Sequence, residues 1–347
     1  MDKLRKAHVF YFSGTGNARR VALWFSEFAA KSNIDCRLTD ITKADTHLQE
    51  PEAETLIVII SPIHGFNYPK ITLDFIRRFP KGENKVVLMN TRAGLRIGRF
   101  VTPGLTGIAF MVSSFILKQK GYHITGQIPF DMPSNWLSIH PALSDKSVKF
   151  LHQKNYVRLE KHCQRILSGK PDFASDKDIV QDALISPVAL AYYLVGRFAL
   201  AKSFYASPAC DNCGLCIKKC PVKAIENIKS HPFWTSRCES CMKCMNECPK
   251  KAIETAHGLF LIVSLAASFA SSYLIHHFIS NDIQSGFIKS AVFTSVFMLL
   301  LFALYRLQHL LLRIKWIGKL ISYSSLTRYR FWGRYKSIPD NKWKDNE

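Results

Sequence analysis

Eight of the ten cysteines lie between Cys210 and Cys248, in two runs of the same design. Cys210, Cys213, Cys216 and Cys220 follow C-x2-C-x2-C-x3-C-P. Cys238, Cys241, Cys244 and Cys248 repeat that spacing 28 residues later. Thiolates are soft ligands, and three at such short intervals wrap one corner of a cubane iron–sulfur cluster. Structural zinc, the competing chemistry, usually takes two separated C-x2-C pairs. The doubled run ending in Cys-Pro does not suit it, so two [4Fe-4S] clusters are expected. Cys36 and Cys163 fit no ligand pattern and read as ordinary core or surface residues.

A second signal is the loop S-G-T-G-N-A, formed by Ser13, Gly14, Thr15, Gly16, Asn17 and Ala18. It lies between a short apolar run, Ala7–Phe12, and a helical pattern from Asn17 to Ala30. Hydroxyls of Ser13 and Thr15, the backbone N–H groups of the turn and a helix N-terminus together can cradle a phosphate. The loop resembles the FMN-phosphate loop of the flavodoxins, except that Ala18 stands where that family usually has a hydroxyl. Losing one such bond costs roughly 1–2 kcal/mol, and Arg19 or Arg20 is a candidate to compensate. The resemblance implies two further flavin loops at the carboxyl edge of the sheet. One is Ser61–Pro69, with Ser61, Ile63, His64, Gly65 and Phe66. Here His64, Phe66 or Tyr68 would stack on the ring and Gly65 would bond its edge. The other holds Asn90, Thr91, Arg92, Ala93 and Gly94. The expected cofactors are thus FMN and the two clusters.

The elements that must position these residues alternate. Val21, Trp24, Phe25 and Phe28 share one helical face, and Leu56–Ile60 is an aliphatic run suited to a strand covered on both faces. Lys85–Met89 and Tyr122–Ile128 read as further strands and Thr106–Gly121 as a helix, which together predict a parallel sheet with helices on both sides. Ser144–Gly169 is helical and charged. Val180–Leu200 is more apolar but contains Pro187 and Arg197, and is expected to pack on a membrane or on the preceding domain. The predicted organisation is residues 1–170 as an FMN-binding α/β domain, 171–205 as a helical connector and 206–256 as the two-cluster domain. Residues 258–312 follow as two transmembrane helices and 313–347 as a basic, aromatic tail.

Gly258–Ile279 carries no Asp, Glu, Lys or Arg, and Gly286–Tyr305 carries only Lys289. About 20 apolar residues cross the hydrocarbon core as a helix. The short polar Ser280–Ser285 makes the pair a hairpin. His276 and His277 end the first span and His309 follows the second, so they face opposite sides and cannot share a haem iron. Lys250, Lys251, Arg306, Arg313 and Lys315 flank the hairpin, whereas its loop has Asp282 and no base, which places both ends in the cytoplasm. No signal peptide is read in the first residues. A multi-pass cytoplasmic-membrane protein is expected, with both termini and the redox domains cytoplasmic.

The 347 residues have 47 Lys and Arg against 26 Asp and Glu, a net charge of +21. With 48% hydrophobic and 21% charged residues, a disordered chain is excluded. Two clusters and FMN would remove about six charges and leave a large surplus. The tail adds bases interleaved with Trp316, Tyr323, Tyr329, Phe331, Trp332, Tyr335 and Trp343, a composition suited to an anionic lipid surface. No recognition motif supports nucleic acid.

The Cys-rich part resembles the two-cluster bacterial ferredoxins over about 50 residues. That resemblance implies crossed ligation: Cys248 joins Cys210, Cys213 and Cys216, and Cys220 joins Cys238, Cys241 and Cys244. Over residues 5–255 the chain resembles the flavodoxin-like proteins fused to a two-cluster ferredoxin. The residues that carry this are F-S-G-T-G-N, Gly121–Trp136 and the doubled Cys run. The fold class expected is α/β, a flavodoxin-like doubly wound parallel sheet, then a small α+β dicluster domain and a membrane hairpin. No catalytic Ser-His-Asp set, carboxylate pair or nicotinamide fingerprint stands out. The expected function is electron transfer between FMN, clusters and a redox protein or quinone, as a carrier more than a substrate-specific enzyme. The alternatives are a flavin-dependent reductase of a small molecule and a redox-sensing or assembly subunit.

Overall fold

Leu56, Ile57, Val58, Ile59 and Ile60 are almost wholly buried in the computed structural model, which describes residues 4–44, 49–278, 286–334 and 336. Such a run is buried on both faces only inside a sheet. The first of two units takes in the described residues up to Trp136 and Ala142–Leu194. Its elements are β1 (Lys6–Tyr11), α1 (Asn17–Lys31), β2 (Asp35–Asp40), β3 (Leu56–Pro62), α2 (Lys70–Arg78), β4 (Lys85–Ile97), β5 (Phe100–Thr102), α3 (Ala109–Gln119), β6 (His123–Pro133) and α4 (Asp145–Leu167). The parallel strands run β2-β1-β3-β4-β6, while β5 folds back antiparallel on the end of β4. This is the flavodoxin-like strand order expected from the sequence, with the switch point between β1 and β3.

The predicted helical face of α1 is the buried one. Trp24 and Phe28 meet Tyr156 of α4 with ring centroids 5.5 and 5.0 Å apart. Each fully buried side chain of this size stabilises the unit by ~1.5–3 kcal/mol. Ser144 caps α4 by accepting from the Ser147 N–H at 3.3 Å. Cys163 sits in this core, and Cys36 packs against it.

One expectation is corrected here. Asn90, Thr91, Arg92, Ala93 and Gly94 do not form a loop after β4; they are part of it. The strand continues because β6 is equally long and pairs Asn90↔Pro129 through Gly94↔Pro133. The polar letters looked like a turn because their buried partners are distant in sequence.

A helical stretch follows, made of α5 (Ile179–Ala191), a π-helical turn at Tyr192–Gly196 and α6 (Arg197–Ala201). The boundary between units falls within it, after Leu194. Where a 171–205 connector with two membrane spans was expected, three helical stretches are long and apolar enough to cross a membrane: Asp176–Ala201, His257–Phe278 and Gly286–Leu311.

The second unit holds Leu137–Pro141 and Val195–Arg334. Its elements are β7 (Phe204–Ala206), α7 (Leu215–Lys218), β8 (Ile225–Ile228), β9 (His231–Trp234), α8 (Lys243–Glu247), β10 (Ile253–Thr255), α9 (His257–Phe278), α10 (Gly286–Leu311) and α11 (Lys315–Tyr323). Helices α9 and α10 pack through Val263 and Leu301 and leave Leu261, Phe269, Phe287 and Leu299 exposed. His309 lies inside α10, not beyond it, with Nε2 3.2 Å from the Pro232 carbonyl oxygen. The expected loop Ser280–Ser285, with Asp282, lies outside the described residues, as do residues 335 and 337–347 of the tail.

Candidate metal centres and anion-binding loop

The 28-residue sequence repeat is also a repeat of backbone. Asn212, Gly214 and Lys223 have φ of 57°, 70° and 49°, and Ser240, Met242 and Lys251 have 50°, 61° and 50°. The Ala224 N–H donates to Cys220 Sγ and the Ala252 N–H to Cys248 Sγ, both at 3.3 Å. The strands follow suit: Ala206 pairs with Ile253 in β7–β10, and Ile225 pairs with Trp234 in β8–β9. The second pairing is the first moved on by 28 residues with the halves exchanged. Each small sheet therefore joins the beginning of one half to the end of the other.

That exchange delivers the fourth cysteine of each run to the opposite half. One cavity is lined by Cys210, Cys213, Cys216 and Cys248, together with Pro232 and Ile253. A second is lined by Cys220, Cys238, Cys241 and Cys244, together with Phe204, Ile225 and Trp234; Cys244 borders both. Burial pushes the Cys216 thiol up to about 11 and Cys241 to about 12, and raises Cys238 and Cys244 as well. Backbone N–H groups of Ile217, Ser240 and Lys243 work in the opposite direction by bonding the sulfurs of Cys216, Cys238 and Cys241. Buried thiols of this kind ionise when a cationic centre compensates them, and metal binding releases their protons. Two sulfur quartets in small apolar cavities with amides aimed at the sulfurs fit cubane clusters.

At the carboxyl edge of the other unit's sheet, Ser13–Gly16 join β1 to α1. Gly16 has φ 110° at the N-cap of α1, no side chain caps the helix, and its first turn has no acid. The positive end of the helix dipole thus faces the loop without a carboxylate to offset it. Ser13 Oγ accepts from the Gly16 N–H at 3.2 Å, and Asn135 Nδ2 bonds Thr15 Oγ1. Asn17 Nδ2 donates to the Pro133 carbonyl at 2.8 Å, and Asn17 Oδ1 lies 3.5 Å from His152 Nε2. Ala18 is 1% exposed and packs into the core, so it offers the loop only its backbone. Arg19 is exposed and Arg20 is buried.

His64 and Asn67 close a tight turn, with the His64 N–H donating to the Asn67 carbonyl at 2.8 Å. Gly65 and Phe66 occupy it with φ of 54° and 64°. A Cβ on Gly65 would fall 2.0 Å from the Tyr192 ring, so glycine alone admits this packing. Trp136 bridges the group, 6.1 Å from His64 and 5.8 Å from Tyr192 between centroids. Asn135, Trp136 and Tyr192 were not assigned to the site from the sequence. The π-helical turn that supplies Tyr192 leaves no mark in residue spacing.

Other expected flavin residues are committed elsewhere. Ser61 Oγ is bonded to Thr72 Oγ1 at 2.8 Å, and Tyr68 is buried with its hydroxyl donating to the Met89 carbonyl at 3.0 Å, so Tyr68 is no ring-stacking residue. Ile63 donates its N–H to the Thr91 carbonyl at 2.9 Å. Asn90 Nδ2 is 3.3 Å from Thr106 Oγ1. Arg92 Nε donates to Asp131 at 2.7 Å and Nη1 to Asp178 at 2.7 Å, with its side chain wholly buried. This guanidinium, clamped by two carboxylates, ties β4 to β6 and to the segment before α5. A cleft of about 1080 Å³ opens at the amino edge of the sheet, beside Leu56, Lys85, Thr125 and Lys170, and holds none of the expected site residues.

Residues 209–253 match the family described as the 4Fe-4S dicluster domain. No curated protein matches the chain. Rubredoxin oxygen:oxidoreductase of Desulfovibrio gigas aligns at 11% identity and TM-score 0.34, over 47% of this chain and 35% of its own. Two-electron reduced flavodoxin of Megasphaera elsdenii aligns at 16% identity and TM-score 0.28, over 44% and 98%. An NADH:FMN oxidoreductase, EMOB, aligns at 14% identity and TM-score 0.31, over 48% and 92%. The chain thus spans about a third of the first of these structures and nearly all of the other two. Its fold rests on the strand order and register described above.

Proposed function

We propose that this chain, a flavodoxin-like unit joined to a 4Fe-4S dicluster domain, is a membrane-anchored electron-transfer protein holding two [4Fe-4S] clusters and FMN. The observation that carries the reading is that Cys248 lines a cavity with Cys210, Cys213 and Cys216, and Cys220 lines one with Cys238, Cys241 and Cys244, the last bordering both. When bound, clusters supply one-electron steps and a flavin one- or two-electron steps, so together they interconvert the two modes.

The residues divide the work. Cys210, Cys213, Cys216 and Cys248 would hold one cluster, and Cys220, Cys238, Cys241 and Cys244 the other. Amides donated to the sulfurs stabilise thiolate charge, and Phe204, Ile225 and Trp234 keep water from the second quartet. Ser13, Thr15 and the uncapped start of α1 would hold a phosphate, while the His64–Asn67 turn with Trp136 and Tyr192 would flank the ring. Gly14, Gly16, Asn17 and Ala18 contribute backbone or loop shape.

Helices α9 and α10 are the proposed anchor, with the basic residues Lys250, Lys251, Arg306, Arg313 and Lys315 marking the cytoplasmic side. Helix α11 supports this reading: Trp316, Leu320 and Tyr323 are exposed on it beside Lys315 and Lys319, as suits an anionic lipid interface. Asp176–Ala201 is read as a surface connector. Asp178 is tied to Arg92, Asp182 accepts from the Gly107 N–H at 2.7 Å, and Tyr192 packs on Gly65, all within the first unit. What remains after Tyr192 is about 14 Å of helix, too short for a hydrocarbon core of ~30 Å. The partner is a redox protein or a quinone.

Anaerobic purification of the full chain with iron and flavin analysis, followed by a redox titration, tests the proposal. It expects about eight iron atoms per chain and one flavin. Zinc in place of iron would overturn it.

A further inference from the structure

Lys202 follows α6 and is 3% exposed. Its ammonium donates to the Trp234 carbonyl at 2.7 Å. Three rings surround it, with centroids 4.9 Å away for Phe233, 5.0 Å for Tyr305 and 5.2 Å for Phe302. Among the described residues no carboxylate lies within ion-pair distance of it. A carbonyl and three aromatic faces soften the burial of an ammonium but do not neutralise it. Burial lowers its pKa to about 8, and the neighbour that most favours its charge is Cys238. Arg306 opposes that charge, and Glu226, which pairs with Arg237, adds a weaker support. The residue that accepts its bond, Trp234, also lines the cavity of Cys220, Cys238, Cys241 and Cys244.

The pseudo-symmetry supplies a control within the molecule. The position 28 residues after Lys202 is Ser230, which is exposed and carries no charge. The lysines bordering the first cavity are different: Lys219 pairs with Glu247 at 2.8 Å, Lys243, which borders both cavities, lies 3.7 Å from Glu247, and Lys250 lies 3.8 Å from Asp211. The first quartet has a cation of its own in Arg334, half-buried and donating to the Ile253 and Lys251 carbonyls at 2.9 Å, but that guanidinium answers to Glu254 as well as to Cys248. Lys202 is the more deeply buried of the two and has no carboxylate at ion-pair distance among the described residues.

We propose that Lys202 is the counter-cation of the cluster held by Cys220, Cys238, Cys241 and Cys244, and makes that cluster the more readily reduced of the two. This rests on the two-cluster reading above. An all-thiolate cubane is anionic and gains one further negative charge on reduction. A fixed ammonium in a low-dielectric cage stabilises the reduced form more than the oxidised one. Electrons in this unit therefore settle at the second quartet, whose lysine is caged by Phe302 and Tyr305 of α10.

The test is a redox titration of the full-length protein in detergent, followed by low-temperature electron paramagnetic resonance, in wild type, Lys202→Met and Lys202→Arg. Lys202→Met should lower the reduction equilibrium constant of one cluster by tenfold or more, equivalent to 59 mV for one electron. The other cluster should change by less than threefold, and Lys202→Arg should restore most of the difference. Cys238→Ser, which alters the signal of its own cluster, identifies the one that must have moved. Equal shifts of both clusters, or no shift, with iron content unchanged would overturn the assignment. If Lys202→Met loses iron, Lys202→Gln, which keeps a donor for the Trp234 carbonyl, carries the same expectation. Wild type with about four iron atoms, or with zinc, would instead refute the two-cluster reading.

Discussion

Replacing Arg92 by methionine separates two roles that its position at the carboxyl end of β4 suggests. The side chain is wholly buried and holds β4 to β6 through Asp131 and to the segment before α5 through Asp178, both at 2.7 Å. Nη1 also reaches Thr106 Oγ1 at 3.2 Å, and Asp131 accepts the Gly104 N–H at 2.8 Å. Methionine fills similar volume but leaves buried Asp178 without its ion-pair partner and Asp131 with only Arg158, at 3.4 Å. Breaking a buried pair in this way costs ~3–5 kcal/mol, or a factor of about 10²–10⁴ in the opening equilibrium. Amide hydrogen exchange on the full-length protein reads this locally. Protection of Leu88–Arg92 and Gln127–Asp131 should fall by that factor, with little change in the Cys-rich unit. The Arg92→Lys variant keeps the charge but loses the fork, so an intermediate loss is expected. Protection altered by less than fivefold would refute the structural role. Loss of flavin with protection unchanged would return Arg92 to the cofactor site.

Three further outcomes are expected. Cys220→Ala should damage the cluster held by Cys238, Cys241 and Cys244 more than its sequence neighbours, and Cys248→Ala the reverse; resonance signals showing each variant affecting its own run would refute the crossing. Gly16→Val forces a branched side chain into φ 110° and closes the approach to the phosphate, while Thr15→Ala removes a hydroxyl. Either should cut flavin affinity about tenfold to a hundredfold with iron near normal, and unchanged flavin content would count against Ser13–Ala18 as the loop. His152, whose pKa burial lowers from 6.5 to about 3, stays neutral in the fold but takes a proton when unfolded below pH 6.5. Its contribution is therefore present above pH 6.5 and is lost as pH falls towards 3, by about 2 kcal/mol at pH 5. Urea unfolding of His152→Leu followed by Trp fluorescence should show a flatter acid limb than wild type, and parallel limbs would refute the point.

Patterns written in neighbouring residues were legible in the sequence. The doubled Cys spacing named its chemistry, the alternation of apolar runs named a parallel sheet, and the lengths of Gly258–Ile279 and Gly286–Tyr305 marked two apolar helices. Each depends on local geometry: the reach between thiols, the period of a helix or strand, the rise per residue. What the sequence left hidden depends on partners far along the chain. Asn90–Gly94 reads as a polar turn, and only β6 and the carboxylates of Asp131 and Asp178 make it strand. Tyr192 lies well over a hundred residues from Gly65, and nothing in either segment announces that a ring rests on that glycine. Lys202 reads as one more base in a basic chain until Trp234, Phe233, Phe302 and Tyr305 close around it. A charge is cheap in water and costly in a core, so its role is set by what surrounds it, and that is decided by tertiary structure.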